Sequence, residues 1–444
     1  MNAENQNRPK IKINILISII LAFLFWFASP LSLQLGDKLI ALLLLVAGFL
    51  FPIPMLFVYT FLSVFKARFI YSGAATDPVI YILFPILLRT ILDILTGKKI
   101  KPHLSFKEIL WFASFSLIIT ANIYRVTSFS WDAYSFQKII TFLIQDFSLF
   151  FIICLSINNL KTFDKYLKYL VVILITAMFF NFLGVSLDGA SYHGWYFVAK
   201  GTPVRAISFG MGLLALFALS LWRTNTNKKM GILIFVPSIV FMILANERSP
   251  VISFLISIVL VLCYDFFIKK TYSMFNRKYL AIIGLFVLAI ILVTAFFPKH
   301  MYSRYSFPLY SIQERVNFLK AGRILSLQSP IIGNGPNSFA ITYSGSDIDF
   351  SPHNVFLEIL AEFGLIGLIP FLGIIAITFR KCWLCCKNNY LNYRAIFLFY
   401  AMLYTLIQMC ISSQLNGYRW WWVLFGLIFV AHNLLKPNAT AQKN

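Results

Sequence analysis

The sequence predicts an all-α bundle of membrane-crossing helices, and three observations carry that prediction. Of its 444 residues, 59% are hydrophobic and only 12% are charged, against about 25% charged in a soluble globular chain. Apolar runs able to cross roughly 30 Å of bilayer hydrocarbon recur along the whole chain. Lys and Arg gather in short clusters between those runs. This composition excludes a soluble enzyme, a disulfide scaffold and a disordered chain. The net charge of +22 would suggest nucleic acid in a soluble protein. Here the clusters face membrane lipids as orientation signals, and no nucleic-acid partner is expected.

The first run, 13–29, is shaped like a signal peptide, but no small-residue cleavage site follows and further spans do. Runs 36–51 and 54–70 are separated by Pro52 and Pro54, which break a helix; one kinked span is the alternative. The remaining runs are 78–95, 106–123, 139–157, 166–184, 205–222, 230–245, 250–268, 279–297, 357–378, 394–412 and 419–435. The total is about 12–14 spans. Lys98–Lys107, Lys161–Lys168, Arg223–Lys229, Lys269–Lys278 and Arg380–Arg394 fall on alternate sides of consecutive spans. The positive-inside rule puts them, and both termini, in the cytoplasm. No repeat of fixed period is visible. The chain divides into N-terminal spans (1–204), a second set of spans (205–297), one long outer loop (298–356) and C-terminal spans with a short tail (357–444).

The outer loop is too small to be an independent domain of ordinary size, so it should fold onto the top of the bundle. Its middle, Ser311 to Leu327, reads as a helix that opens with a capping box of Ser311 and Glu314. Gly333, Gly335 and Pro336 then make a turn.

Polar groups of interest collect on the outer face. His353 follows Ser351 and Pro352, which fit an N-cap and a first helical position. In the first turn of a helix its imidazole stays neutral and can serve as a general base. The other reading is an interfacial His bonded to a loop, and the local sequence alone sides with that one. Arg205 and Arg248 open their spans, and Arg315 and Arg323 share one face of the loop helix. Arginine is scarce on the outer side, and guanidinium forks suit phosphate; for any single Arg, solvated or snorkelling charge is the alternative.

Several other features have plainer readings. Asp347-Ile348-Asp349 reads as a solvated turn rather than a metal motif. Asp93, Asp146 and Asp265 are acids in or near spans, with weak support for a proton relay. Tyr418-Arg419-Trp420-Trp421-Trp422 reads as an interfacial aromatic belt. Cys382, Cys385 and Cys386 form C-x-x-C-C without partner ligands at zinc spacing, so reduced thiols are expected there and no metal or cofactor.

The stretch from His353-Asn354 through Glu358, Glu362 and Gly364 to Gly367 resembles the His-Asn…Gly-x-x-Gly signature of the O-antigen ligase superfamily. That family includes Wzy-type polysaccharide polymerases. Arg315, then Pro330 to Pro336 as Pro-x-x-Gly-x-Gly-Pro, is similar to a further family segment. Asn246-Glu247-Arg248-Ser249 resembles its span-end turn, with Glu247 where Ser is usual, and Arg205 resembles its other essential arginine. The resemblance covers about 205–378.

It implies a GT-C-like, metal-independent, inverting glycosyltransferase of a bacterial inner membrane, with its active site on the periplasmic side. The donor would be a glycan on undecaprenyl diphosphate. The acceptor would be lipid A–core for a ligase, or a second lipid-linked glycan for a polymerase. His353 would take the acceptor's proton, and Arg205, Arg248 and Arg315 would hold the diphosphate. Gly364 and Gly367 would allow close helix packing. Glu358 and Glu362, on one helix face with Asn354, would orient Asn354 or the loop, or satisfy neighbouring spans. The His-to-Gly spacing leans to the ligase; fourteen spans pull the other way. A transporter of polysaccharide or lipid-linked sugar is the rival of another class, but it would place polar groups near the midplane and often show repeats.

Overall fold

The computed structural model describes residues 35–52, 54–56, 79–96, 103–130, 133–187, 204–244, 247–269, 284, 286–288, 291, 295, 309–412, 415 and 419–436. Among the described residues, all regular structure is helical. In chain order, α1 is Leu35–Leu50, α2 Val79–Leu95, α3 Phe106–Ala121, α4 Tyr134–Ser156, α5 Leu160–Leu187, α6 Val204–Arg223 and α7 Lys228–Leu244. Then come α8 Arg248–Lys269, α9 Leu309–Gln328, α10 Ser338–Ser344, α11 Val355–Asn388, α12 Tyr393–Ile411 and α13 Trp420–Leu434. A 3₁₀ turn, Asn122–Arg125, prolongs α3, and Thr141–Phe147 within α4 is π-helical. With the 3₁₀ turn added to α3, four helices among the described residues (α3, α4, α11 and α12) are long and apolar enough to cross a membrane. The protein is an all-α polytopic membrane protein. The expected spans at 13–29, most of 54–70 and nearly all of 279–297 lie outside the described residues, and so does the span count between 31 and 70.

The chain forms two compact units, residues 1–101 with 155–207, and residues 102–154 with 208–444. In the first, α1 packs on α2. Arg89 pairs with Asp93 at 3.1 Å, one turn along α2, and lies over the Phe49 ring of α1. On α5, Phe163, Leu167, Leu170 and Leu174 are buried at helical spacing.

In the second unit α11 is central, packing on α3, α9, α10, α12 and α13. Its apolar run reads as 357–378, but the helix continues to Asn388, so Cys382, Cys385 and Cys386 lie on it and are buried. Aromatic side chains fill the interior. Phe112 of α3 stacks on Phe150 of α4 at 4.0 Å between centroids, and Phe429 of α13 meets both edge-on. The expected aromatic belt is corrected here. Trp420, Trp421 and Trp422 are at most 2% exposed, and Trp422 packs edge-on against Phe142 and Phe147. An interfacial girdle and a buried aromatic core have the same composition, which is why the sequence misleads.

Contacts within this unit sort to two ends. At one end Lys381 pairs with Glu108 at 2.7 Å, and Asn433 donates to the His103 carbonyl. These groups come from segments that the charge alternation assigns to one side. At the other end the outer loop meets the 3₁₀ turn after α3 and the start of α4.

Candidate functional site

The outer loop does fold onto the bundle. Its helix α9 packs on α11, with Gly322 facing Leu357. It is described from Leu309, so Ser311 falls inside the helix rather than capping it. Phe318, Leu325 and Phe339 bury themselves around Ala361 of α11, with Phe350 alongside. This small core carries the segment that leads to His353.

His353 stands just outside α11. The expected cap of Ser351 and Pro352 is not formed. Asn354, in extended conformation, is the N-cap, and its side chain accepts from the Leu357 amide at 3.0 Å. His353 precedes it with φ +56, in the left-handed region where His is among the few tolerated side chains. Its half-buried ring lies 5.8 Å from that of Phe318. Asn354 also donates to the Cys410 carbonyl at 2.9 Å.

The last turn of α12 is the meeting point of the site. Helix C-termini leave carbonyls without intrahelical partners. Cys410 is bonded by Asn354, and Ile411 by the guanidinium of Arg315, an exposed residue of α9. A cation there also suits the negative end of the helix dipole. One turn earlier, buried Gln408 donates to Ser249 Oγ at 3.2 Å and accepts from Ser253 Oγ at 2.7 Å. Those serines lie in the first two turns of α8, whose first residue is half-buried Arg248. Elements bearing His353, Asn354, Arg315 and Arg248 thus converge on residues 408–411. Arg205 sits at the start of α6, and its side chain lies outside the described residues.

The glycines act differently from the expectation of helix-against-helix packing. Gly364, at φ +63, interrupts α11. The Pro330–Gly335 backbone docks into the break. The Leu365 and Ile366 amides donate to the Pro330 and Ile331 carbonyls, and the Asn334 and Gly335 amides donate to those of Ala361 and Glu362. A Cβ on Gly364 would come within 2.2 Å of the Ile331 oxygen, and one on Gly333 (φ +71) within 2.3 Å of the Glu362 carbonyl. No side chain fits either place. Gly367 faces Phe363 and Ile359 of its own helix across the break. Arg125 holds the docked segment from the far side, donating to the carbonyls of Ile332 (3.0 Å) and Gly333 (2.7 Å).

The carboxylates of Glu358 and Glu362 turn to α4 rather than to the Asn354 side chain. Both are fully buried and both grip Lys138 of α4, whose ammonium lies 2.7 Å from Glu362 Oε1 and also contacts Glu358. Glu358 Oε2 also accepts from the Leu415 amide at 2.9 Å. Lys138 was not visible as a site residue, because it flanks the apolar run at 139–157 and reads there as a boundary charge.

Asp347 corrects another reading. Rather than lying in a solvated turn, it accepts from the Ser135 amide (2.9 Å), Ser135 Oγ (2.7 Å), Asn337 Nδ2 (2.7 Å) and Thr127 Oγ1. Partial burial acts to raise its pKa. The donated bonds from Thr127, Asn337 and Ser135 outweigh it and hold the carboxyl below the usual range. Asp146, the acid within a span, lies 3.6 Å from Arg419. Among the described residues no three His, Cys, Asp or Glu side chains come together as a metal would need.

Residues 233–372 match the family model described as O-Antigen ligase. No curated protein matches the chain. The matched stretch includes Arg248, α9, the docked Pro330–Pro336 segment, His353 and both glycines, and it excludes Arg205 and Lys138. Arg315, the Pro330–Pro336 segment and the stretch from His353 to Gly367 fall inside one connected assembly of loop, broken helix and helix end. That match, over residues 233–372, agrees with the resemblance to the O-antigen ligase superfamily read from the sequence.

Proposed function

We propose that the protein is an inner-membrane glycosyltransferase that moves a glycan from undecaprenyl diphosphate to an acceptor hydroxyl at the periplasmic face. The reading leans to O-antigen ligase, with lipid A–core as acceptor. The convergence of His353–Asn354, Arg315 and the Arg248 turn on residues 408–411 supports it most. It brings a general-base candidate to the same helix end as two cations suited to a diphosphate.

In this reading an imidazole nitrogen of His353 accepts the proton of the acceptor hydroxyl. The oxygen attacks the anomeric carbon from the face opposite the diphosphate. The bond from that carbon to the diphosphate oxygen breaks, inverting configuration, and undecaprenyl diphosphate leaves. Arg248 and Arg315 offset the negative charge that builds on the leaving group, which is the role a metal would otherwise take. Asn354, bonded to both Leu357 and Cys410, fixes the backbone on which His353 sits.

The test is glycan length and attachment in a deletion strain complemented with wild type or with His353→Asn. Loss of all polymer from lipid A–core, with long lipid-linked chains accumulating, identifies a ligase. Single repeat units still attached to lipid A–core identify a Wzy-type polymerase. Full complementation by the variant rules out His353 as the base.

A further inference from the structure

We propose that Lys138 is the positioning residue for His353, a reading that rests on the proposed role of His353 as base. The break at Gly364 leaves Val355–Phe363 as a short helical segment with His353 at its head. The far end of that segment is pinned by the docked Pro330–Gly335 backbone. Its near end is pinned by Asn354 to Cys410. Those two ties, with the packing of Leu357 and Ala361 on α9, hold one face of the segment and both its ends. Glu358 and Glu362, one turn apart, share a face. One ammonium from α4 contacts both, which ties this face to α4 and holds the side from which His353 faces the site.

Lys138 is itself anchored. Ser135, one turn before it on α4, is held by Asp347 of the outer loop. Asn337 bonds the same carboxylate, and Asn334 and Gly335, a few residues earlier, bond the carbonyls of Ala361 and Glu362. The outer loop, α4 and the broken segment therefore form a closed ring of polar contacts, with Lys138 as the link between the two helices.

Energetics favour position over stability as its purpose. Lys138 is 2% exposed and both carboxylates 0%. A buried ion pair adds little over apolar residues of the same shape, because desolvation offsets the attraction. Two carboxylates for one ammonium is a poorer bargain still. Buried Glu362 shares that ammonium with Glu358, and the Asn337 backbone lies beside it. An arrangement that contributes so little to stability is explained by the geometry it imposes.

The test compares full-length enzyme in detergent, wild type against the triple variant Lys138→Met/Glu358→Gln/Glu362→Gln. That variant removes all three charges and keeps their shapes, including an acceptor for Leu415. It is expected to fold. Its kcat should fall about 10- to 100-fold with the donor KM unchanged, and amide hydrogen exchange over 355–363 should quicken. A purely structural role would alter the yield of folded protein and leave kcat per folded molecule at the wild-type value. Should the triple variant not fold, Glu362→Gln alone is read the same way, with a several-fold fall in kcat expected. Wild-type kcat or wild-type exchange, in whichever variant folds, overturns the proposal. His353→Asn is run alongside. If it retains full activity the base assignment fails by itself, and the exchange measurement still decides whether Lys138 fixes the segment.

Discussion

His353 combines two demands at one position, a side chain for chemistry and a backbone at φ +56. His353→Ala would confound them, since alanine tolerates that conformation poorly. Asn is among the side chains that accept it, so His353→Asn is the cleaner probe. The expected outcome is an unchanged thermal midpoint with transfer lowered about 10²- to 10⁴-fold, the usual contribution of a general base. Gly364 poses the opposite case. In Gly364→Ala, a φ/ψ region essentially reserved for glycine costs about 1–3 kcal/mol, and the added Cβ also meets the Ile331 oxygen. Loss of folded protein in a detergent melt is expected, and a wild-type midpoint would refute the docking geometry. The residues that sequence reading found here share a trait. His353, Asn354, Gly364 and Gly367 lie within one short motif. Arg125, Lys138 and Gln408 are single polar residues far from it in the chain, and only folding reveals what they touch.

At the scale of elements, the α8–α12 contact sets where Arg248 stands. Gln408 has both ends of its amide used, by Ser249 and Ser253. Gln408→Leu leaves two buried hydroxyls without those bonds, at a cost of about 1–3 kcal/mol. The expected kinetic signature is a raised donor KM, because the first turn of α8 carries Arg248; an unchanged KM would separate Arg248 from donor binding. The outer loop has an acid-sensitive clasp in Asp347. Its folded pKa is depressed, so its contribution is present above the ordinary carboxylate pKa, about 3.9, and is lost as pH falls through the folded value. Below about pH 4 wild type should lose thermal stability faster than Asp347→Asn; parallel curves would show that the carboxylate contributes nothing. Within the described residues, most helical spans and the loop helix were legible in hydropathy and periodicity. The cap before α11 was not, since Ser351-Pro352 and Asn354 both have the chemistry of a helix start. Nor was the length of α11, because Arg380 and Lys381 mark a span boundary in the sequence while the helix runs on past them.

For the whole molecule, the charge clusters predict a sidedness that single-cysteine labelling can test. In a background without native cysteines, a cysteine at Lys387 should react with a membrane-impermeant maleimide only after the inner membrane is opened. One at Ser346 should react in intact spheroplasts. Reversal of that pattern would invert the topology and move the proposed site to the cytoplasmic face. The pairing of Lys381 with Glu108 fits the alternation, because both come from segments assigned to one side.

The docking of Pro330–Gly335 into the broken helix also bears on how such a protein can be recombined. The two segments meet through main-chain bonds and through two places where no Cβ fits. Neither has a meaningful shape without the other, although nearly thirty residues separate Asn334 from its partner Ala361 in the chain. A chimera that exchanges residues 330–336 alone, or 361–367 alone, should assemble poorly if its source differs at any of these positions. One that carries both should transplant as a unit. The stretch between them lies outside that interlock, and a donor or acceptor preference grafted there need not disturb it.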